Sequence, residues 1–153
     1  MKFRNAVIAL LALSATAASA ATIGIHTISK HGKEHFDRIY EGQVQERVKY
    51  NNKNFGMYFV ADSGLTVGAY KNSYYHTTAY AGWTFYGPSV GPVGTGLTAI
   101  LATGYSRNIG YGKLRPMAMP SVSMDLPAGM RVRYTAAPAK KGFFQHLTIE
   151  RGF

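Results

Sequence analysis

After residue 21, apolar residues alternate with polar or small residues at a period of two, and no helical periodicity of useful length appears. Such alternation is typical of β-strands that bury one face. Turn-forming residues separate the alternating runs, as at residues 62–64 and 126–129. The pattern therefore predicts an all-β fold. The predicted strands cover residues 22–29, 54–61, 65–70, 75–85, 95–106, 114–125, 130–134 and 143–153.

The number of predicted strands points to a closed barrel. Eight is the smallest strand number of bacterial outer-membrane barrels, and side chains just fill the interior of such a barrel. In the first strand Ile23 and Ile25 share one face, whereas Gly24, His26 and Ile28 share the other. We therefore expect one domain that folds as an eight-stranded antiparallel up-and-down transmembrane β-barrel. A soluble sandwich is the alternative, and its outward face would be covered or polar.

The N-terminal residues have the pattern of a secretory signal peptide. Lys2 and Arg4 are basic, residues 6–13 are apolar, and Ala18-Ser19-Ala20 is a small-residue cleavage site. The apolar stretch is too short to cross a bilayer of about 30 Å as a helix. We expect residues 1–20 to be removed after export and residues 21–153 to form the barrel domain. A retained N-terminal anchor is the alternative.

Two further features agree with a barrel in lipid. The chain contains no cysteine, so an exported domain of this size needs another source of stability than disulfides. A closed barrel in lipid pairs its backbone groups between strands. The last predicted strand carries Phe143, Leu147 and Ile149 in phase with the final residue, Phe153. This arrangement resembles the assembly signal of outer-membrane barrels.

The charge restricts the partners. The formal net charge is +10, which favours anionic head groups of phospholipid or lipopolysaccharide. Nucleic acid is the usual alternative for a basic chain, but the export signal and the absence of a nucleic-acid motif argue against it. We expect a monomer in the outer membrane. The 11 tyrosines and 17 glycines suit a membrane barrel and a soluble barrel equally.

The polar segment 30–53 interrupts the alternation. We predict one long exposed loop there, with a short hairpin at residues 43–50 as the alternative. His31 and His35 have the spacing of a metal pair, but no third ligand stands at a recognisable distance. We therefore expect no metal and no cofactor.

Two further segments are predicted to join strands. Residues 87–94 are predicted to be a connection because they are rich in proline and glycine, and residues 107–113 are predicted to be a loop.

A family resemblance rests on the order of several short motifs. The stretch GMYFVADSGLTVGAYKNSYYHTTAYAGWTF contains a Lys-Asn-Ser run at residues 71–73 and an Ala-Tyr-Ala-Gly-Trp run at residues 79–83. The stretch LRPMAMPSVSMDLPAGMRVRYTAAP contains a proline-bearing strand, a turn and a Tyr-x-x-x-Pro segment. In this order the motifs resemble PagP, the family of outer-membrane lipid A palmitoyltransferases, at low identity over most of the mature chain. The sequence is also similar to short exported barrel proteins of bacteria and phages.

The resemblance implies acyl transfer from a phospholipid to lipid A. The family's catalytic histidine matches His26 on the first strand, and its Asp-Ser pair matches Asn72 and Ser73. His26 would act as the base and Ser73 as a polar partner or nucleophile, both near one rim of the barrel. Asn72 departs from the family, since an amide supplies a hydrogen bond but no charge. The amphipathic helix that precedes the first strand of the family is missing as well.

Pro116 and Pro120 interrupt the sixth predicted strand. Proline removes a ladder donor, and in PagP such gaps admit lipid through the wall, so the resemblance implies lipid access here. A bulge or a strand end is the alternative.

Two function classes therefore stay open: a PagP-like acyltransferase, and a non-catalytic envelope barrel with a receptor, exclusion or structural role. A soluble periplasmic binding barrel is a third.

Overall fold

The computed structural model describes residues 22–40, 43–105, 114–139 and 142–153, so the predicted signal peptide and the predicted loop 107–113 lie outside the described residues. Ten strands make up almost all of the described chain. They are β1 (Thr22–His31), β2 (His35–Tyr40), β3 (Gln43–Lys49), β4 (Lys53–Val60), β5 (Leu65–Lys71), β6 (Thr77–Val90), β7 (Val93–Ala102), β8 (Arg115–Asp125), β9 (Met130–Ala139) and β10 (Gly142–Gly152).

Eight of these strands close into an antiparallel barrel in the order β1-β10-β9-β8-β7-β6-β5-β4, and β2 and β3 form a separate two-stranded sheet. The closed eight-stranded barrel predicted from the alternation is confirmed. Pairing of Thr22 with Gly152 and with Val60 closes the sheet on itself. Among the described residues, no helix is long and apolar enough to cross a membrane.

The two ends of the barrel differ. At one end, named the turn end, short connections at residues 61–64, 91–92 and 126–129 join the strands, and the chain termini of the barrel lie beside them. At the other end, named the loop end, lie the β2–β3 hairpin, the connection 72–76 and residues 103–105.

The outward face of the barrel is apolar and the inward face is largely polar. Ile25, Phe55 and Trp83 point outward and are 52%, 64% and 50% exposed. Thr66 and Glu150 point inward and are 2% and 1% exposed. The outward face is thus neither covered nor polar, which are the two properties expected of a soluble sandwich.

A β-bulge shifts the alternation in β1. The pairing of β1 with both neighbours changes register between His26 and Ile28. Because of the extra residue, Ile28 points outward and is 55% exposed, whereas Ser29 is buried. The sequence pattern put Ile28 on the face of His26, since an uninterrupted period of two does not contain the bulge at Thr27.

The segment 30–53 contains a hairpin instead of one long loop. β2 pairs with β3 from His35 opposite Lys49 to Tyr40 opposite Gln43. Phe36 is buried, and Arg38 forms an ion pair of 3.0 Å with Glu46 across the two strands. Alternation of apolar and polar residues does not indicate these strands, because both faces of the hairpin are mostly polar.

The β6–β7 hairpin likewise extends through the predicted connection 87–94. Ser89 pairs with Gly94, and Val90 pairs with Val93. The pairing shifts between Tyr86 and Ser89, which leaves Pro88 in a bulge. A bulge tolerates proline because it needs no ladder donor there, so proline and glycine bend the hairpin without ending it.

Close approach of two strands requires Gly82. A Cβ atom at this position would overlap the carbonyl oxygen of Ala99 and lie 2.6 Å from the Cα atom of Ile100. Both obstacles are backbone atoms, which cannot rotate away. By contrast, a Cβ atom at Gly152 would meet nothing within 4 Å.

We expect Gly82→Ala to lower the free energy of unfolding by about 1–3 kcal/mol, because the added methyl group forces β6 and β7 apart. Gly152→Ala is the matched control and should leave stability unchanged. The measurement is urea unfolding of the detergent-solubilised protein, followed by the fluorescence of Trp83, the single tryptophan. Equal unfolding midpoints for the two variants would contradict the close approach.

Candidate functional site

Asn72 caps the β5–β6 connection with its side chain. The amide nitrogen donates to the hydroxyl of Thr78 and to the carbonyl of Gly104, each at 3.0 Å. The amide oxygen accepts from the backbone N–H groups of Tyr74 at 2.9 Å and His76 at 3.0 Å. Asn72 is fully buried. Each polar atom of the amide thus has two partners, so the side chain holds the turn and has no group left to orient a histidine.

Ser73 lies in a small polar cluster next to this turn. Its hydroxyl lies 2.7 Å from Nε2 of His31, 3.3 Å from the hydroxyl of Ser29 and 3.4 Å from Nδ2 of Asn54. Ser73 is 5% exposed. A serine in hydrogen-bond contact with a histidine nitrogen has the geometry of a nucleophile with its base.

His26 belongs to a different cluster inside the barrel. Its Nδ1 lies 2.8 Å from Nε2 of His146, and its Nε2 lies 2.8 Å from the hydroxyl of Tyr80. Both ring nitrogens of His26 are therefore engaged away from Ser73. Of the three site residues predicted from the sequence, the structure brings Asn72 and Ser73 to one turn and gives Ser73 a different histidine, His31, as its neighbour.

Sequence reasoning considered His31 only as part of a metal pair. Its contact with Ser73 depends on the bulge in β1, which turns Ser29 and His31 toward the interior side of the strand. The alternation of the sequence contains no sign of this shift. Within the part of the chain that the structure describes, no group of three or more His, Cys, Asp or Glu side chains is arranged to hold a metal ion.

A buried ion pair fills the barrel toward the turn end. Nε of Arg133 lies 2.6 Å from Oε1 of Glu150, and a second guanidinium nitrogen lies 3.1 Å from Oε2. The hydroxyl of Tyr58 donates to the same carboxylate, and Arg133 also donates to Ser121 at 3.0 Å. Both the guanidinium and the carboxylate thus have hydrogen-bond partners inside the barrel.

The space inside the barrel differs between its two ends. A cavity of about 50 Å³ lies between this ion pair and the aromatic residues nearer the loop end, with His26 and Tyr70 in its wall. Such a volume holds a few water molecules, whereas a palmitoyl chain needs many times more space. A larger cavity of about 340 Å³ opens at the turn end, with Tyr86 and Ser123 in its wall. The space beside His26 therefore has no room for a long acyl chain, and the larger cavity lies at the end opposite to Ser73.

The wall is incompletely paired at the two prolines. β8 pairs with β7 over its whole length, including Pro116 opposite Leu101 and Pro120 opposite Leu97. β8 pairs with β9 only from Ser121, which lies opposite Thr135, toward the turn end. Among the described residues, the loop-end half of β8 thus has one paired edge, and both prolines lie in this half.

The β2–β3 hairpin is held over the loop end by aromatic contacts. The rings of His31 and Tyr50 stack with centroids 4.2 Å apart. Phe36 and Tyr74 meet edge to face at 4.8 Å. Burial, together with a hydrogen bond to Tyr50, raises the pKa of Tyr74 well above its ordinary value. Tyr74 is therefore neutral at physiological pH.

The hydrogen bonds of Asn72 predict the effect of restoring the aspartate of the resembled family. In Asn72→Asp a carboxylate oxygen replaces the NH₂ group opposite the carbonyl of Gly104, and Thr78 already donates to the carbonyl of Thr103. The new oxygen has no donor, so we expect a loss of about 1–3 kcal/mol in the free energy of unfolding. Urea unfolding measures it.

The control for this variant is Asn52→Asp, at an exposed asparagine of the same end of the barrel. It adds the same charge and should leave the unfolding midpoint unchanged. If Asn72→Asp were as stable as this control, the amide would not be a capping group, and a catalytic position for residue 72 would regain support.

Comparison with known proteins adds no identification. The sequence matches no protein-family model and no curated protein. The resemblance to lipid A palmitoyltransferases therefore stays a prediction based on the order of short motifs. The closed barrel, the Ser73–His31 contact and the small cavity beside His26 are the observations from which a function can be inferred.

Proposed function

We propose that the exported chain spans the bacterial outer membrane as a monomeric barrel and acts there without catalysis, through the surface of its loop end. The observation that carries this proposal is the apolar outward face. Isolated large apolar patches on soluble monomers rarely exceed a few hundred Å². Here, large apolar side chains point outward from every wall of the barrel, while hydroxyl and charged groups point inward. Hydrocarbon is the solvent that suits such a surface.

The difference between the two ends supports an orientation. Outer-membrane barrels have short turns on the periplasmic side and longer segments on the outside. The turn end, with the barrel termini, would thus face the periplasm. The β2–β3 hairpin would project from the cell surface, held by Phe36 and Tyr50. A receptor, exclusion or structural role suits a barrel that presents such a hairpin and whose interior below it holds only a small cavity.

Acyl transfer from phospholipid to lipid A is the second candidate function. One contact favours it: the hydroxyl of Ser73 lies 2.7 Å from His31, at the end that would meet the outer leaflet. The half-paired edge at Pro116 and Pro120 would supply lipid access. In this version His31 replaces His26 as the base. The small size of the cavity beside His26 and the capping role of Asn72 favour the non-catalytic function over it.

Membrane insertion predicts opposite effects for two arginine substitutions at exposed positions. Ile25 is 52% exposed in the middle of β1, and Val44 is 63% exposed on the hairpin. Ile25→Arg should destabilise the barrel in lipid vesicles by about 2–4 kcal/mol, because a charge would lie near the middle of the bilayer. Val44→Arg should have no such effect. Unfolding by urea in vesicles measures both.

Cell fractionation provides the corresponding test in vivo. The wild-type protein and Val44→Arg should remain in the outer-membrane fraction after extraction with alkaline carbonate, whereas Ile25→Arg should accumulate less there. A wild-type protein that stays in the aqueous fraction without detergent, or an Ile25→Arg variant as stable as Val44→Arg, would refute the membrane barrel.

Mass spectrometry of lipid A distinguishes the two candidate functions. We expect lipid A from cells that express the protein to carry no additional acyl chain, because the cavity beside His26 is too small for one and the larger cavity opens at the end opposite to Ser73. An added palmitoyl mass would overturn the non-catalytic proposal. Its loss in Ser73→Ala and His31→Ala, but not in His26→Ala, would then assign the reaction to the Ser73–His31 pair.

A further inference from the structure

Three lysines form a row on the outer wall at the loop end. Lys30, Lys53 and Lys71 lie on β1, β4 and β5, which are neighbours in the barrel. Lys53 is paired with Ile28, two residues before Lys30. Gly56 is paired with Tyr70, which sets Lys71 beside Phe55 on the outward face. All three lysines are exposed, and we name this row the lysine sector.

An apolar surface lies directly next to the lysine sector. Ile28, Phe55 and Met57 continue the outward faces of β1 and β4 toward the middle of the barrel and are 55%, 64% and 52% exposed. Cations thus stand at one edge of a large apolar area. A cationic edge beside an apolar area suits an amphiphile with an anionic head group and acyl chains.

Within the described chain, no carboxylate forms an ion pair with a lysine of the lysine sector. The ion pairs recorded there are formed by Arg38, Arg131 and Arg133. Like charges on neighbouring strands repel each other and destabilise the sheet, and an anion between them removes the repulsion. Lys33 and Lys49 lie in the hairpin region near Glu34 and are not part of this row.

The size of the row favours a ligand with more than one phosphate. Neighbouring strands are about 4.8 Å apart, and each lysine lies two residues, or about 7 Å, further along than the one before it, so the row extends over about 16 Å. A phospholipid with a single phosphate reaches only part of such a row. A glycolipid with phosphates on a disaccharide head group spans it.

We propose that Lys30, Lys53 and Lys71 bind the phosphates of a multiply phosphorylated glycolipid of the outer leaflet, whose acyl chains lie on Ile28, Phe55 and Met57. The proposal rests on the proposed membrane insertion and names the lipid partner of this wall.

The test uses the full mature chain in detergent micelles, with diphosphoryl lipid A as the probe and native mass spectrometry to measure binding. The variant carries Lys30→Gln, Lys53→Gln and Lys71→Gln. The control carries Lys33→Gln, Arg47→Gln and Lys49→Gln, which remove the same charge from exposed positions of the hairpin region. Circular dichroism verifies that both variants fold.

We expect the sector variant to bind diphosphoryl lipid A about a hundredfold more weakly than the wild type, with the control much closer to the wild type. Wild-type binding should also weaken for monophosphoryl lipid A and with added salt, and be weaker still for phosphatidylethanolamine. Equal binding by the sector variant and the control, or indifference to the number of phosphates, would overturn the inference.

Insertion of the purified protein into lipid vesicles separates this inference from the proposed function. A chain that inserts into vesicles but binds lipid A equally with and without the lysine sector retains the membrane barrel and loses the glycolipid surface. A chain that does not insert refutes both.

Discussion

An eight-stranded barrel encloses a space that side chains alone fill, so every polar group that points inward must find its partner inside. The pair formed by Arg133 and Glu150 meets this requirement most fully. Glu150 accepts a hydrogen bond from Tyr58 on β4, and Arg133 donates one to Ser121 on β8, so the pair connects opposite walls across the interior. Loss of one member of a buried pair typically costs about 3–5 kcal/mol, because it leaves the other charge unpaired.

This packing also limits what the barrel can do. The ion pair, hydroxyl groups and tyrosine rings leave a cavity toward the loop end that is too small for a lipid tail, and the larger cavity opens at the turn end. A lipid at the loop end would therefore meet the rim or the outer wall of the barrel. The Ser73–His31 contact lies at that end, but it is enclosed by Ser29 and Asn54 and stands beside a turn whose amide is used entirely for capping. The serine is therefore better explained as part of a rim structure than as a free nucleophile.

Local patterns were sufficient to predict the strands and the barrel. Alternation, turn residues and strand number are properties of short stretches, and the barrel strands follow them with shifts of a few residues at their ends. The hairpin was not predictable in this way, because its anchor Phe36 packs on Tyr50 and Tyr74, which are distant in sequence. The partners inside the barrel depend on register between strands. Arg133 and Glu150, for example, come together only when β9 and β10 pair with Thr148 opposite Arg133.

The bulge at Thr27 illustrates how much one register shift decides. With an uninterrupted alternation, Ile28 and Lys30 would follow His26 into the interior, and Ser29 and His31 would point outward. The extra residue reverses both pairs. It brings His31 to Ser73, where the resemblance to an enzyme family implied His26, and it places Lys30 on the outer wall beside Lys53. The candidate serine site and the lysine sector therefore have a common origin in one inserted residue, and both would be lost together if β1 paired without it.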